Sequence, residues 1–200
     1  MHEAIRLAEH RNNIDGVSTE VVILEQIYNE FSSGRREVTA IRDFMRMLYE
    51  NSSLSKKIEY LLLFGDASYD YKGIENGQEN LVPIYQSRSS LHTVHSYASD
   101  DYFGFLDSNE GDWAEGTTAS NQIHLLDIGS GRLPIRNTRE AKDIVDKLIA
   151  YQSPSTLGRW RSELGFIADN GDENKHQLRS DFLASQMENQ YPDFIQDRLF

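Results

Sequence analysis

Short apolar runs alternate along this chain with stretches of helical periodicity, and that alternation predicts its architecture. In the charged opening segment MHEAIRLAEHRNN, Ala4, Ile5, Leu7 and Ala8 give one apolar helical face. Ile14-Asp15-Gly16 closes it, with Gly16 placed as a C-cap. Val21, Val22, Ile23 and Leu24 form a run that reads as a buried parallel strand. Ile27, Tyr28 and Phe31 predict a short helix ending at Ser33-Gly34. Thr39 is placed to cap the next helix. Its stripe of Ile41, Phe44, Met45, Leu48 and Tyr49 follows the i, i+3, i+4, i+7, i+8 pattern of a single buried face. Residues 60–64, Tyr-Leu-Leu-Leu-Phe, read as a second buried strand. Helices between buried strands imply right-handed crossovers and a parallel sheet.

The pattern changes over residues 65–123, which are rich in Gly, Ser, Asp and Tyr and poor in helical signals. Short strands are predicted over 81–85 and 102–106. A structureless loop of this length is unusual in a compact domain, so hairpins and ordered turns are expected at an edge of the sheet. Order returns with a strand over 123–128, after which Gly129-Ser130-Gly131 reads as a small-residue turn. Asn137 and Glu140 have capping-box spacing. They precede the stripe of Ala141, Ile144, Val145, Leu148 and Ile149. Ser153-Pro154-Ser155 breaks the pattern. A strand over 164–168, a helix lined by Leu178, Phe182, Leu183 and Met187, and a strand over 194–200 follow.

Charge and composition narrow the function. The 200 residues carry 32 acidic and 20 basic side chains, a net charge of −12, which opposes nucleic-acid binding and polybasic membrane contact. No apolar run reaches the length that spans a bilayer. There is no cysteine, so disulfides, thiolate zinc sites and a cysteine nucleophile are excluded within these residues. The start has no apolar signal-peptide core. Both ends read as cuts into longer elements.

The candidate chemistry is acidic. Asp66 directly follows the strand over 60–64, where open parallel sheets bind ligands. It is either a site or metal residue, or a turn aspartate bonding backbone amides. From Ser89 to Gly131 there is no Lys or Arg, while Asp100, Asp101, Asp107, Glu110, Asp112, Glu115 and Asp127 crowd together. Such a stretch is a solvated acidic loop or a place for a hard cation with oxygen ligands. The segment over 107–112 resembles a calcium loop without EF-hand spacing. His92 and His95 lack a third zinc ligand at useful spacing, and His124 is assigned to structure. Asp169, Asp172 and Glu173 follow the strand over 164–168. There a carboxylate either orients an imidazole or offsets a helix N-terminus. No nucleophile elbow, Walker A loop or dinucleotide fingerprint is present.

Several segments, taken in order, resemble the gingipain-like cysteine peptidases, and among them the sortase branch of type IX secretion. They are residues 27–34 (IYNEFSSG), 39–44 (TAIRDF), 61–66 (LLLFGD), 99–104 (SDDYFG), 131–134 (GRLP) with Glu140-Ala141, and 166–172 (FIADNGD). The resemblance implies a caspase-like α/β fold, a parallel sheet flanked by helices with an irregular hairpin-containing insertion. Residues 1–154 would form the first subdomain and 155–200 would begin the second. It also implies a His–Cys dyad, with the His in a Gly-His-Gly motif, and this sequence contains neither that motif nor any Cys.

On the same grounds Asp169 or Asp172 would support the missing His, and Asp66, Asp100 and Asp101 would be calcium ligands. Asp181 is a weaker match to a residue reading basic side chains. Substrates would be proteins or peptides, with other secretion components as partners. The parent protein would lie at the cell surface or outer membrane. The alternative expectation is a non-catalytic caspase-like module that binds calcium or a partner.

Overall fold

In the computed structural model, residues 1–53, 57–70, 80–87, 92–93, 96–110 and 124–200 are described. The chain divides into two compact units, Met1–Lys147 and Leu148–Phe200. The first begins with α1 (His2–His10), a π-helical turn over Arg11–Asp15 and Gly16 in the left-handed conformation at φ 68°. Helices α2 (Leu24–Ser32) and α3 (Val38–Glu50) follow. Ser33 and Gly34, at φ 53° and 81°, end α2 as the Ser-Gly pair predicts.

Strand β1 (Tyr60–Phe64) pairs in parallel with β4 (Gly129–Leu133), in the register Tyr60↔Gly129 through Phe64↔Leu133. Between them, β2 (Tyr85–Gln86) and β3 (Ala98–Ser99) form a short antiparallel pair, the hairpin expected of this region. After β4 comes α4 (Thr138–Tyr151). It starts with the anticipated reciprocal cap: Glu140 N–H donates to Asn137 Oδ1 at 3.0 Å and Asn137 Nδ2 donates to Glu140 Oε1 at 2.9 Å.

The core of this unit forms where α2 and α3 lie against β1. Ile27, Tyr28, Ala40, Ile41 and Leu63 join Val82, Tyr102 and Phe103 in one buried cluster. Met45, Leu106 and Ile128 form a second, which α3 supplies from its next turn. The α3 stripe therefore holds the strand on one side and the irregular segment on the other.

The second unit is a βαβ crossover. Strand β5 (Glu163–Ile167) pairs in parallel with β6 (Ile195–Leu199), and α5 (Gly171–Gln190) connects them. Asp172, Glu173 and Asn174 at its start are left-handed, with φ 48°, 59° and 64°. Both parallel pairs and their helices bear out the α/β class.

Several local expectations are corrected. Residues 21–23 are not a strand: Val21, Val22 and Ile23 are exposed and lead into α2, with Ile23 as its N-cap. A short apolar run does not itself distinguish strand from helix approach; a ladder partner does, and none is present among the described residues. Thr39 does not cap α3. The helix starts at Val38, two residues earlier than a Thr39 cap implies, behind Glu37, to which the Thr39 hydroxyl donates at 3.3 Å. Residues 102–106 are not a strand, because Asp101–Gly104 winds into a 3-10 turn that places Tyr102 and Phe103 in the core.

The strand expected over 123–128 lies later in the chain, in the Gly-Ser-Gly segment read as a turn. Residue 123 lies outside the described residues, Leu125 and Leu126 are exposed, and β4 begins at Gly129. A Cβ on Gly129 would sit 2.9 Å from the Tyr60 ring of the paired strand. The neighbouring aromatic thus covers the strand where it has no side chain. In α5, Ala184 is fully buried, whereas Leu178, Phe182 and Leu183 are exposed. The small alanine marks the face that meets the strands.

Two outcomes follow from this packing. Phe103 is completely buried, so Phe103→Ala lowers unfolding stability by about 3–5 kcal/mol in urea titration. On the surface, Asp146 accepts from Lys142 Nζ at 2.5 Å and from Arg6 Nη2 at 2.6 Å, linking α4 to α1. These bonds lower the Asp146 pKa from its ordinary value. The link is complete above the ordinary carboxylate range and is lost as pH falls through the depressed value. The protection of α1 amides, exchange rates being corrected for their intrinsic pH dependence, falls over that acid range, and Asp146→Asn removes that fall.

Candidate functional site

Of the acidic residues singled out above, Asp66 follows the carboxyl end of β1 and Asp100 and Asp101 follow β3, and the backbone beyond β1 and β4 is tightly determined. Gly65 N–H donates to Leu133 O at 3.0 Å and Asp66 N–H to Ile135 O at 2.9 Å, extending the parallel ladder by two steps. Asp66 O accepts from Leu81 and Val82 N–H at 3.1 and 3.2 Å, bringing the 80–83 segment against the strand end. A Cβ at Gly65 would lie 2.8 Å from Val82 Cγ2 and 2.9 Å from Leu81 Cβ, so this approach requires glycine.

The Asp66 carboxylate accepts from Ala67 N–H at 3.0 Å and from Arg136 Nε at 2.7 Å. That partnership raises the Arg136 pKa above its already high ordinary value. Asp66 thus combines the backbone-bonding turn role with an ion pair.

Asp100 is placed by the hairpin end and the 3-10 turn that follows, where Phe103 N–H donates to Asp100 O at 3.2 Å. Its carboxylate is held side-on by Arg132, with Nε to Oδ2 at 2.8 Å and Nη2 to Oδ1 at 2.7 Å. The remaining N–H groups of Arg132 reach Gly65 O at 2.7 Å, Val82 O at 2.8 Å and Pro83 O at 3.1 Å. All five guanidinium donors are therefore engaged. Asp101 is exposed at the start of the turn.

A second buried guanidinium lies nearby. Arg42 on α3 donates from Nε to Phe105 O at 2.6 Å and from Nη2 to Asp107 O at 3.2 Å. Neither arginine was singled out as a site residue from sequence. For Arg42 the available signal was its place beside Ile41 in the buried α3 stripe; for Arg132, in Gly-Ser-Gly-Arg-Leu-Pro, the sequence offered none.

Other members of the acidic stretch also hold backbone. Asp127 Oδ2 accepts from Leu106 N–H at 2.9 Å, and the buried Glu110 accepts from Asp107 N–H at 3.1 Å. His124 stands 3.7 Å from Glu110 and against Phe105, in keeping with its structural assignment. Among the described residues no three His, Asp or Glu side chains converge as a metal would require. Asp112, Glu115 and His95 lie outside the described residues, while His92 is exposed. Asp66 and Asp100, each neutralised by an arginine, do not fit a calcium site as they stand.

In the second unit, Asp169 follows β5 and its Oδ1 accepts from Gly171 N–H at 3.1 Å. Asp172, exposed in the left-handed turn, stands 3.3 Å from His176 Nε2. Asp181 pairs with Arg198 at 2.6 Å, which also contacts Glu188 at 2.7 Å.

An α/β scaffold of parallel strand pairs flanked by helices fits the class of gingipain-like peptidases. The chain belongs to peptidase family C25, whose model matches residues 1–200. Among solved structures it is similar to dimeric latent PorU from Porphyromonas gingivalis, with 33% sequence identity and a TM-score of 0.61. That likeness covers 80% of this chain and 15% of the PorU chain. No curated protein matches.

The strand-end packing has a direct consequence. Gly65→Ala forces a methyl group into the Leu81–Val82 contact and lowers stability by about 1–3 kcal/mol, read as a fall in urea midpoint at unchanged slope.

Proposed function

We propose that this chain is scaffold from a gingipain-like cysteine endopeptidase, a type IX secretion sortase that cleaves C-terminal sorting domains from cargo. The observation that carries this reading is the family C25 match over the whole chain, and the likeness to PorU at 33% identity supports the secretion branch. The parent protein acts at the cell surface or outer membrane, on protein substrates and beside other secretion components.

The 200 residues contribute no nucleophile. A thiolate–imidazole pair supplies both attack and proton transfer in a cysteine peptidase, and the chain contains no Cys and no Gly-His-Gly. The dyad belongs to the parent protein outside residues 1–200. Asp169 and Asp172, at the carboxyl end of β5, are the groups proposed to orient its imidazole. Asp169 already bonds its own turn through one oxygen. Asp172 is exposed, with a 3.3 Å contact to His176.

The zero cysteine count also supports a second reading, a non-catalytic module that docks a partner through the same scaffold. The coding sequence of the parent separates the two. The peptidase reading expects a strand ending in Gly-His-Gly, then a further strand and a Cys; a parent without that pair overturns it. The 200-residue protein itself gives no turnover of peptide substrates, and protein-dependent cleavage would refute the assignment of the dyad elsewhere.

A further inference from the structure

Asn170 and Gly171 stand exposed between the end of β5 and the first left-handed residue of α5. An asparagine followed by glycine is chemically labile, because glycine has no side chain to keep its nitrogen away from the asparagine amide. The Gly171 nitrogen attacks Asn170 Cγ, and the amide nitrogen leaves as ammonia, taking up the N–H proton of Gly171. The product is a cyclic imide. Water then opens either of its two carbonyls. Opening at Cγ leaves aspartate in a normal chain. Opening at the backbone carbonyl leaves isoaspartate, with Cβ and Cγ in the main chain. Both products exchange a neutral amide for a carboxylate, between Asp169 and Asp172.

The local geometry opposes this reaction. Asn170 has ψ 14°, so the Gly171 nitrogen nearly eclipses the Asn170 backbone nitrogen about the Cα–C bond. A tetrahedral Cα then places Cβ, and the side-chain amide with it, well away from the nitrogen that must attack. Ring closure requires ψ to turn until that nitrogen and Cβ lie on the same side. Gly171 N–H meanwhile donates to Asp169 Oδ1 at 3.1 Å, a bond that the rotation breaks. A Cβ on residue 171 would crowd the same Asp169 oxygen at 3.3 Å. The residue that suits the bond is therefore the one that leaves Asn170 labile.

We propose that Asn170 is a site of spontaneous deamidation, and that Asp169 is the latch that sets its rate in the folded protein. Each opening of the latch exposes the start of α5 to a permanent change of charge and, through isoaspartate, of backbone length. This inference stands apart from the peptidase reading, since it is read as a mass change in the 200-residue protein itself.

The protein is kept in mildly alkaline buffer, and the tryptic peptide over 162–175 is followed by mass spectrometry. Fragmentation locates the change from amide to acid and separates aspartate from isoaspartate. Asp169→Ala raises the rate at Asn170 about five- to tenfold, the scale of one hydrogen bond to a charged acceptor at an exposed site. Asp169→Asn retains an acceptor oxygen, and its rate falls in between. Asn76-Gly77, the other Asn-Gly pair of the sequence, is read in the same digest and reacts at one rate in all three proteins. The proposal is overturned if Asn170 reacts no faster in Asp169→Ala than in the wild type, or if its rate rises only together with that of Asn76.

Should Asp169→Ala fail to fold, the wild-type protein supplies the reading in buffer and in denaturing urea. Unfolding releases the latch, so Asn170 reacts faster in urea by a similar factor. Equal rates in the two solvents would show that the folded turn gives no protection, and would overturn the proposal.

Discussion

The first unit depends on a guanidinium that has no unused donor. Burying a charge is costly unless it is paired and fully hydrogen-bonded, and Arg132 meets both conditions through Asp100 and three carbonyls. Gly65 O lies at the end of the β1–β4 ladder and Val82 O and Pro83 O outside it, and each needs a partner that the ladder does not supply. One side chain supplies partners to all three while anchoring Asp100. A two-stranded parallel pair is thereby joined to 80–83 and to the turn after β3 without further sheet. Arg42 does the same from the helical side, holding Phe105 O and Asp107 O under α3. Hydrophobic burial positions Tyr102 and Phe103, and the two guanidinium groups align the backbone on either side of them.

The acidic excess takes a different meaning in this setting. Asp66, Asp100, Asp127 and Glu110 are not an array facing solvent; each accepts hydrogen bonds from backbone or from arginine. Their charge is used locally, within a loop region too polar to be organised by apolar contacts alone. Asp101 remains exposed at the same edge. At this edge the parallel strands β1 and β4 end, and the bonds to Arg132 and Asp66 hold its backbone in place.

The βαβ unit is built on other terms. Ala184 is its fully buried α5 residue, and the helix begins through three left-handed residues, Asp172, Glu173 and Asn174. Left-handed geometry costs about 1–2 kcal/mol per residue for L-amino acids, least for Asp and Asn. That cost falls immediately after β5, where Asp169 turns the chain through its bond to Gly171. The strained turn places Asp172 on the surface at the strand's carboxyl end, close to His176.

Sequence by itself determined the elements whose identity is local. The stripe of α3, the reciprocal Asn137–Glu140 cap, the left-handed stops at Gly16 and Ser33-Gly34, and the position of β1 follow from periodicity and from backbone preferences carried by single residues, although β1 is buried at Leu63 and exposed at Tyr60 and Leu62 rather than buried throughout. The order of its motifs likewise carried the family. What depends on a partner was decided only in three dimensions. Val21–Ile23 has the composition of a strand and no ladder, whereas Gly129–Leu133 has the composition of a turn and becomes a strand because β1 pairs with it and Tyr60 covers its first glycine. The roles of Asp66 and Asp100 were open for the same reason. A carboxylate looks alike in sequence whether it awaits a metal or an arginine, and Arg132 stands 32 residues from Asp100 along the chain. Only the fold brings that charge, and the carbonyls it also satisfies, within hydrogen-bonding distance.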